Sequence, residues 1–246
     1  MSLPINDQAH ILIVAPHPDD ESVGCGGLML KYGAQCEILL LTDGRKGYDS
    51  SVPTDEEELV QLRMEEIRHA AAIAKIEQIH MLGIHDGTLK HNLNIVQAFD
   101  ITPYDFVFVP NHMERHKDHA PVLKAIQKMC RKQRAAAKIY EYEVWSPIPH
   151  PTDILNMDGL MGQKLEMVRQ YKSQIRFLDY EAMTEALNRY RGAGYKVQYA
   201  EAYSFAPRQK TIKQVYQKLP CALRRIIRRL LGMGAASRHN HAGEKT

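Results

Sequence analysis

The feature that most constrains the fold is a regular alternation of short apolar segments with segments of helical periodicity. Strands that are apolar on both faces are typical of parallel sheets covered by helices. The pattern therefore predicts an α/β fold with a mostly parallel sheet and helices on both faces. The apolar segments, predicted as strands, are 10–15, 36–42, 78–84, 105–110 and 138–145. The helices predicted between them are 21–33, 54–75 and 118–133.

The pattern changes after residue 146. A proline-rich connection spans 146–153 and is followed by two predicted helices, 160–174 and 180–194. Residues 196–205 are predicted as a strand or edge segment. A chain of 246 residues is long enough for one α/β domain with a sizeable core. We therefore predict one domain over 1–206 and a separate tail over 207–246.

The tail differs from the domain in charge. Residues 207–246 contain ten Lys/Arg and one acidic residue, a net charge of +9, which leaves −6 for the remainder. Within the tail, 219–234 has apolar residues at helical spacing and arginines off that stripe, which predicts an amphipathic helix. Two interpretations stay open: a helix that contacts anionic membrane, or one docked on the acidic domain or a partner. The tail has few aromatic residues, so we predict no nucleic-acid binding.

Composition indicates the compartment. No apolar run reaches the roughly 18 residues that a membrane span needs, and the first residues lack the basic and apolar regions of a signal peptide. The four cysteines are scattered and form no CxxC pair, which favours reduced thiols over disulfides or a cysteine zinc site. We therefore predict a cytoplasmic protein, with peripheral membrane contact through 219–234 as one option.

The first polar motif is the stretch PHPDDE, which directly follows the first predicted strand. In open parallel sheets, ligands bind beyond the carboxyl ends of the strands, and this motif places His17, Asp19 and Asp20 there. The two prolines stiffen the turn, as a metal or catalytic site requires. Helix capping by one aspartate is the alternative, but it leaves the histidine and the second aspartate unexplained.

The second motif, HKDH, follows the predicted strand 105–110. It carries His116, Asp118 and His119. A lone histidine here would be an ordinary loop residue, but residues 116 and 119 can face the same side at a helix start. A carboxylate between them can orient an imidazole. Together the two loops offer two imidazoles and a carboxylate to one metal, with a further aspartate and histidine as base and acid. This chemistry predicts a metal-assisted hydrolase using zinc, iron, manganese or cobalt.

The pairing of PHPDDE with HKDH resembles the LmbE-like, PIG-L-type N-acetylglucosaminyl deacetylases. Several further segments are similar to that family: LTDGRKG (41–47), RMEEIRHA (63–70), LGIHDGTL (82–89), YKSQ and YAEAY. The resemblance covers about residues 10–205. It implies a Rossmann-like fold, a mononuclear zinc site (or another divalent metal such as Fe²⁺) and hydrolysis of an N-acetylated sugar or glycoconjugate.

The resemblance also implies roles for individual residues. His17, Asp20 and His119 would bind the zinc ion, and Asp19 would act as the general base. His116 would stabilise the oxyanion and protonate the leaving amine.

The remaining roles are supporting ones. Asp118 would tune and orient His116, while Arg63 and Asp86 match positions that contact the sugar in relatives. The alternative for Arg63 is an i,i+3 partner of Glu66 on an exposed helix face.

The chain departs from the family pattern at two positions. Arg45 stands where the family often has glutamate, and it therefore suggests substrate binding with an acidic or phosphate-bearing substrate. Lys117 stands where proline is common. Two alternatives to a sugar deacetylase stay open: an amidase for a non-sugar acylated amine, and a non-catalytic binding module. If the chain were a non-catalytic binding module, we would expect at least one of His17, Asp19, Asp20 and His119 to be replaced. All four are present, which argues against that alternative.

Overall fold

The structure is a computed structural model that describes residues 2–47, 55–207, 220 and 223–224. The chain divides into two compact units, Met1–Pro207 and Arg208–Thr246. The predicted amphipathic helix 219–234 lies outside the described residues except at 220 and 223–224, so its membrane contact stays a prediction. Within the described part of the chain, no helix is both long and apolar enough to cross a membrane.

Seven strands of the first unit form one sheet. They are β1 (Ile11–Ala15), β2 (Cys36–Thr42), β3 (Ile79–Ile84), β4 (Phe106–Pro110), β5 (Lys138–Tyr142), β6 (Asp153–Asn156) and β7 (Ala200–Phe205). Their order across the sheet is β3-β2-β1-β4-β5-β7-β6. The first five in that order are parallel, and β7 pairs antiparallel with both β5 and β6. The predicted α/β fold with a mostly parallel sheet is confirmed.

Seven helices accompany the sheet in the described part of the chain. They are α1 (Asp20–Tyr32), α2 (Glu56–Ile73), α3 (Leu93–Val96), α4 (Val122–Gln133), α5 (Met161–Val168), α6 (Lys172–Ile175) and α7 (Tyr180–Ala193). The start of α2 shows why these segments are helical: the Asp55 carboxylate caps it by accepting the N–H groups of Glu57 and Glu58. Three glutamates in its first turn also suit the positive end of the helix dipole.

Side chains of the strands alternate between two hydrophobic cores. On β1, Ile11 and Ile13 belong to one core, which also contains residues of α1, α2, α5 and α7. Leu12 and Val14 belong to the other, which is covered by α3 and α4. Because successive strand residues point to opposite faces, both faces of the sheet are buried, and this explains the continuous apolar character of the strand sequences.

Helix α1 lies unusually close to its neighbours because of its glycines. A Cβ on Gly24 would lie 2.2 Å from a ring carbon of Tyr142, and one on Gly27 would lie 2.6 Å from the Met157 sulfur. The Glu201 carboxylate of β7 accepts the N–H groups of Gly27 and Leu28 at 2.7 and 3.0 Å. These contacts fix the helix that begins at Asp20.

A buried ion pair holds Glu201 in that position. The Lys164 ammonium lies 2.7 Å from the Glu201 carboxylate, and both side chains are at most 1% exposed. Lys164 also donates to Asn188 Oδ1 at 2.9 Å, and the Tyr203 hydroxyl donates to Glu201 at 2.6 Å. The network therefore joins α1, α5, α7 and β7 through satisfied polar groups.

From residue 142 onward the structure differs from the prediction in three ways. The four-residue strand β6 lies partly within the connection predicted over 146–153, and it forms through pairing with β7. The helix predicted over 160–174 is two helices, α5 and α6, separated near the buried Tyr171. The strand predicted to reach residue 145 ends at Tyr142, since Glu114 takes the next backbone N–H groups.

Candidate active site

The two predicted motifs meet at one edge of the sheet. PHPDDE follows β1 and HKDH follows β4, and these strands are parallel neighbours. The chain winds from β1 to β3 in one direction and continues from β4 in the other, so the motifs lie at the topological switch point. Ligands bind at this place in open α/β sheets. The segments after β2 and β3 end at the same edge and contribute Asp43 and Asp86.

Three ligand atoms from the two motifs form a compact triangle. Asp20 Oδ2 lies 3.2 Å from His17 Nδ1 and 3.1 Å from His119 Nε2, and the two nitrogens are 3.2 Å apart. Ligands about 2.0–2.2 Å from a tetrahedral zinc ion are roughly 3.3–3.5 Å from one another. All three residues are buried. The donor set and its spacing therefore fit one divalent metal ion.

The opposite edge of the His17 ring faces two further carboxylates. His17 Nε2 lies 3.4 Å from Asp86 Oδ1 and 3.6 Å from Asp118 Oδ2. Metal-binding histidines commonly place their second nitrogen against a carboxylate. Burial lowers the pKa of His17, but the contacts with Asp118, Asp20 and Asp86 outweigh it and raise the pKa well above its usual value.

The structure shows which groups surround Asp118, the residue predicted to tune and orient His116. Its carboxylate lies beside His17 Nε2 and accepts the Gly87 N–H at 2.7 Å. The Asp118 backbone N–H donates to His116 Nδ1 at 3.4 Å. This contact makes Nδ1 an acceptor and leaves the ring proton of a neutral His116 on Nε2.

His116 completes a cluster of three imidazoles. Its ring centroid is 4.7 Å from that of His17 and 5.0 Å from that of His119. Burial and the charges of His17 and His119 lower the pKa of His116. The side chain is half-buried and lines a pocket that also contains His17, Asp19 and Asp20. A neutral imidazole is therefore available at the pocket wall at neutral pH.

Asp19 is held in a strained conformation beside the candidate metal ligands. Its backbone has φ 144° and ψ −32°, a region that L residues rarely adopt. The Glu21 carboxylate accepts the Asp19 N–H at 3.2 Å and is itself held by Ser22 and Tyr171. Glu21, the last residue of PHPDDE, therefore supports the turn that aims Asp19 into the pocket.

The Asp19 carboxylate is paired on one oxygen. Arg63 Nη2 lies 3.0 Å from Oδ2, and the Tyr180 hydroxyl donates to the same oxygen at 3.5 Å. Among the described residues, no hydrogen-bond donor contacts Oδ1. Burial raises the pKa of Asp19 to about 8, although the charge of Arg63 opposes this rise. The carboxylate is thus fixed in direction while one oxygen stays available to a ligand.

The two residues predicted to contact sugar take different positions. Arg63 is only 2% exposed, which excludes the alternative of an exposed helix face. Its guanidinium donates to Gly44 O and Pro18 O as well as to Asp19, so it supports both loops. Asp86 lines the pocket and contacts His17, one of the candidate metal ligands.

Arg45, the third residue predicted to bind substrate, is not at the pocket. Its guanidinium contacts Asp43 at 2.8 Å, Glu57 at 3.0 Å and Glu56 at 3.3 Å. Three carboxylates neutralise this cation and hold it against the start of α2. The substrate contact predicted for Arg45 stays a prediction, and these ion pairs do not support it.

Several pocket residues carry no clear signal in the sequence. Lys46, Lys117, Trp145, Gln174 and Tyr180 all line the pocket. The Trp145 ring packs edge-on against Tyr180 at 5.6 Å, and the Trp145 backbone N–H donates to the buried Glu114. Three of these pocket residues lie in segments identified in the sequence: Lys46 in LTDGRKG, Lys117 in HKDH and Gln174 in YKSQ. The other residues reach the pocket through the fold.

Residues 12–130 match the family model described as PIG-L, GlcNAc-PI de-N-acetylase. This chain carries a PIG-L (LmbE-like) domain. The matched segment of the PIG-L domain contains both motifs, and the resemblance recognised in the sequence is confirmed.

Two curated relatives resemble this PIG-L domain in sequence. A Bacillus cereus protein named "Probable N-acetyl-alpha-D-glucosaminyl L-malate deacetylase 2" is 27% identical over 199 residues, which cover 72% of this chain and 87% of that protein. The diacetylchitobiose deacetylase of Thermococcus kodakarensis is 36% identical over 95 residues, 37% of this chain and 35% of that protein. The second likeness thus spans about a third of the relative.

A solved structure shares the fold of the PIG-L domain. The N,N'-diacetylchitobiose deacetylase from Pyrococcus horikoshii aligns with a TM-score of 0.66 at 22% identity, covering 81% of this chain and 84% of that protein. At this identity the likeness establishes the fold. The chemistry must be argued from the site residues.

Proposed function

We propose that this protein is a metal-dependent hydrolase that removes the N-acetyl group from a sugar or glycoconjugate containing N-acetylglucosamine. The observation that carries the proposal is the triangle of His17, Asp20 and His119 with Asp19 and His116 beside it at one pocket. The names of the relatives support an N-acetylated glucosamine substrate. The family match supports the same reaction class.

His17, Asp20 and His119 would hold the metal. Zinc suits this nitrogen and oxygen set, and Fe²⁺ is a second candidate. When bound, such an ion lowers the pKa of water and polarises the acetamide carbonyl. Asp86 and Asp118 lie 3.4 and 3.6 Å from the far nitrogen of His17 and would keep its ring in orientation.

Asp19 would act as the general base that takes a proton from the attacking water. Its Oδ1 is available toward the pocket, while Arg63 and Tyr180 hold Oδ2. A positioned base of this kind contributes about 10²–10⁴-fold to a rate. The rigid, strained turn keeps the carboxylate in place without a conformational search.

His116 would stabilise the developing negative charge on the acetamide oxygen and later protonate the departing amine. His116 Nδ1 accepts a hydrogen bond from the Asp118 backbone N–H, so a neutral His116 carries its proton on Nε2. That proton would be donated toward the pocket. An amide nitrogen is a poor leaving group until it is protonated. The proton that Asp19 has taken up, or the one on His116, can meet that need.

Metal analysis of variants tests this proposal. Wild type, His119→Ala and Asp19→Asn would be assayed for bound zinc and for amine release from N-acetylglucosamine and N,N'-diacetylchitobiose. We expect about one ion per chain in wild type and Asp19→Asn, and loss of the ion in His119→Ala. We also expect Asp19→Asn to lower kcat by about 10²–10⁴-fold.

Three results would overturn parts of the proposal. Full kcat in Asp19→Asn would remove Asp19 as the base. Hydrolysis of simple acylated amines without any turnover of sugars would indicate a non-sugar amidase. Absence of both metal binding and turnover in wild type would leave a binding module.

The proposed compartment is the cytoplasm. Cys25 and Cys36, in the described part of the chain, are free and buried. Unpaired buried thiols support a reducing compartment.

A further inference from the structure

Two lysines that the proposed reaction does not use converge at the pocket. Lys46 follows β2 and Lys117 lies in the loop after β4, and both line the pocket. A Cβ built on Gly87 would lie 2.9 Å from Lys46 Nζ and 3.0 Å from Lys117 Nζ, so the two nitrogens are no more than about 6 Å apart. Gly87 has φ +81° and no side chain, which leaves room for both ammonium groups.

Neither ammonium is neutralised within the part of the chain that the structure describes. No carboxylate there lies within ion-pair distance of Lys46 or Lys117, and both side chains are exposed. The neighbouring cations differ, since Arg45 contacts three carboxylates and Arg63 contacts Asp19. Two like charges this close repel each other, and an anion between them would relieve the repulsion.

The position of the lysines limits where such an anion can be. Lys117 lies between His116 and Asp118 in sequence, so its backbone belongs to the loop that carries the proposed acid. The Lys46 backbone N–H donates to Asp86 Oδ2 at 3.3 Å, which ties the other loop to the same site. An anionic group bound by both would therefore be next to the sugar whose acetamide reacts.

We propose that Lys46 and Lys117 form an anion subsite that selects an N-acetylglucosamine derivative carrying a phosphate or carboxylate next to the sugar ring. This inference rests on the proposed function for turnover, but binding of the anionic sugar can be measured without turnover. The sequence suggested an acidic substrate because of Arg45. In this proposal the acidic group is bound by Lys46 and Lys117 instead, which have no ion-pair partner among the described residues. Lysine binds phosphate and carboxylate as a compact point charge.

Paired substrates and paired variants test the subsite. The probes are N-acetyl-α-D-glucosamine 1-phosphate, N-acetyl-α-D-glucosaminyl L-malate and neutral N,N'-diacetylchitobiose. The full-length, zinc-loaded protein would be compared as wild type, Lys46→Gln/Lys117→Gln and Lys46→Arg/Lys117→Arg. The control Lys90→Gln/Lys124→Gln removes the same charge from exposed positions that do not line the pocket.

We expect the glutamine pair to lose at least tenfold in kcat/KM on one or both anionic probes, mostly through KM, and less than twofold on the neutral sugar. The arginine pair should retain most of the preference, and the control should match wild type. Raising the salt concentration should weaken the preference in wild type, in the control and in the arginine pair, because exposed charges are screened. The probe with the larger loss identifies phosphate or carboxylate as the preferred anion.

Two outcomes separate this inference from the proposed function. Equal losses on neutral and anionic probes, or no loss at all, would overturn the subsite while deacetylation stands. If zinc-loaded wild type turns over none of the probes, the proposed function fails, and calorimetric binding of the two anionic probes decides the subsite. Binding that is lost in the glutamine pair and kept in the control would support it, and equal or absent binding would refute it.

Discussion

The buried pair of Lys164 and Glu201 allows a quantitative prediction of stability. Replacing Lys164 with Met leaves the Glu201 carboxylate at most 1% exposed without its cation. Removing one partner of a buried pair costs about 3–5 kcal/mol because the remaining charge is uncompensated. For a domain of this size each kcal/mol lowers Tm by roughly 2–4 °C, so we expect a fall of about 6–20 °C. Three remaining donors to Glu201 favour the lower end of that range.

Urea unfolding followed by circular dichroism would measure the change in the free energy of unfolding. The double variant Lys164→Met/Glu201→Gln should be more stable than Lys164→Met by at least about 1 kcal/mol, because the unpaired charge is gone. Lys124→Met, at an exposed position of α4, serves as the control and should be within about 0.5 kcal/mol of wild type. A Lys164→Met variant as stable as that control would refute the reasoning, as would a double variant no more stable than Lys164→Met.

Three further predictions concern other parts of the domain. Arg63→Met should lower kcat about tenfold or more without changing bound metal, because Asp19 loses its ion pair; retained kcat, or lost metal, would contradict this. The Cys36 thiol, whose pKa burial raises to about 12, should not react with a thiol reagent at pH 8 until the protein unfolds; prompt labelling of Cys36, located by peptide mapping, would contradict it. Burial opposes ionisation of Glu37, but hydrogen bonds, first from Tyr104, lower its pKa. The ionised Glu37 should therefore contribute its full stabilisation above the unfolded-state pKa of about 4.3. This contribution, measured as the difference in stability between wild type and Glu37→Gln, should decrease as the pH falls through the lower pKa of the folded protein. Urea unfolding at pH 6 and pH 3.5 measures it, and a gap that widens in acid would be inconsistent with this sign.

The parallel part of the sheet was predictable because its signal is local. Each of the first five strands is apolar on both faces, and each is followed by a helical segment or a loop. The strand β6 was not predictable, since its four residues pair with β7 across more than forty residues of chain. The break between α5 and α6 also depends on a distant contact, that of Tyr171 with Glu21.

The site was predictable where residue type and spacing carry the chemistry. The motifs PHPDDE and HKDH predict that His17, Asp20 and His119 lie together, and the structure brings their ligand atoms into one triangle. The ion pairs of Arg45 were not predictable, because its partners Glu56 and Glu57 come from the next helix, which sequence spacing alone does not bring to it.

The close packing of α1 has a consequence for interpreting saturation mutagenesis. No side chain fits at Gly24 or Gly27 without displacing Tyr142 or Met157, so a mutational map should show both positions as intolerant as the proposed metal ligands. Their intolerance would appear as lost expression, whereas that of the ligands would appear as lost metal in folded protein. A screen that scores only growth would not separate the two classes and would wrongly assign the packing glycines of α1 to the active site.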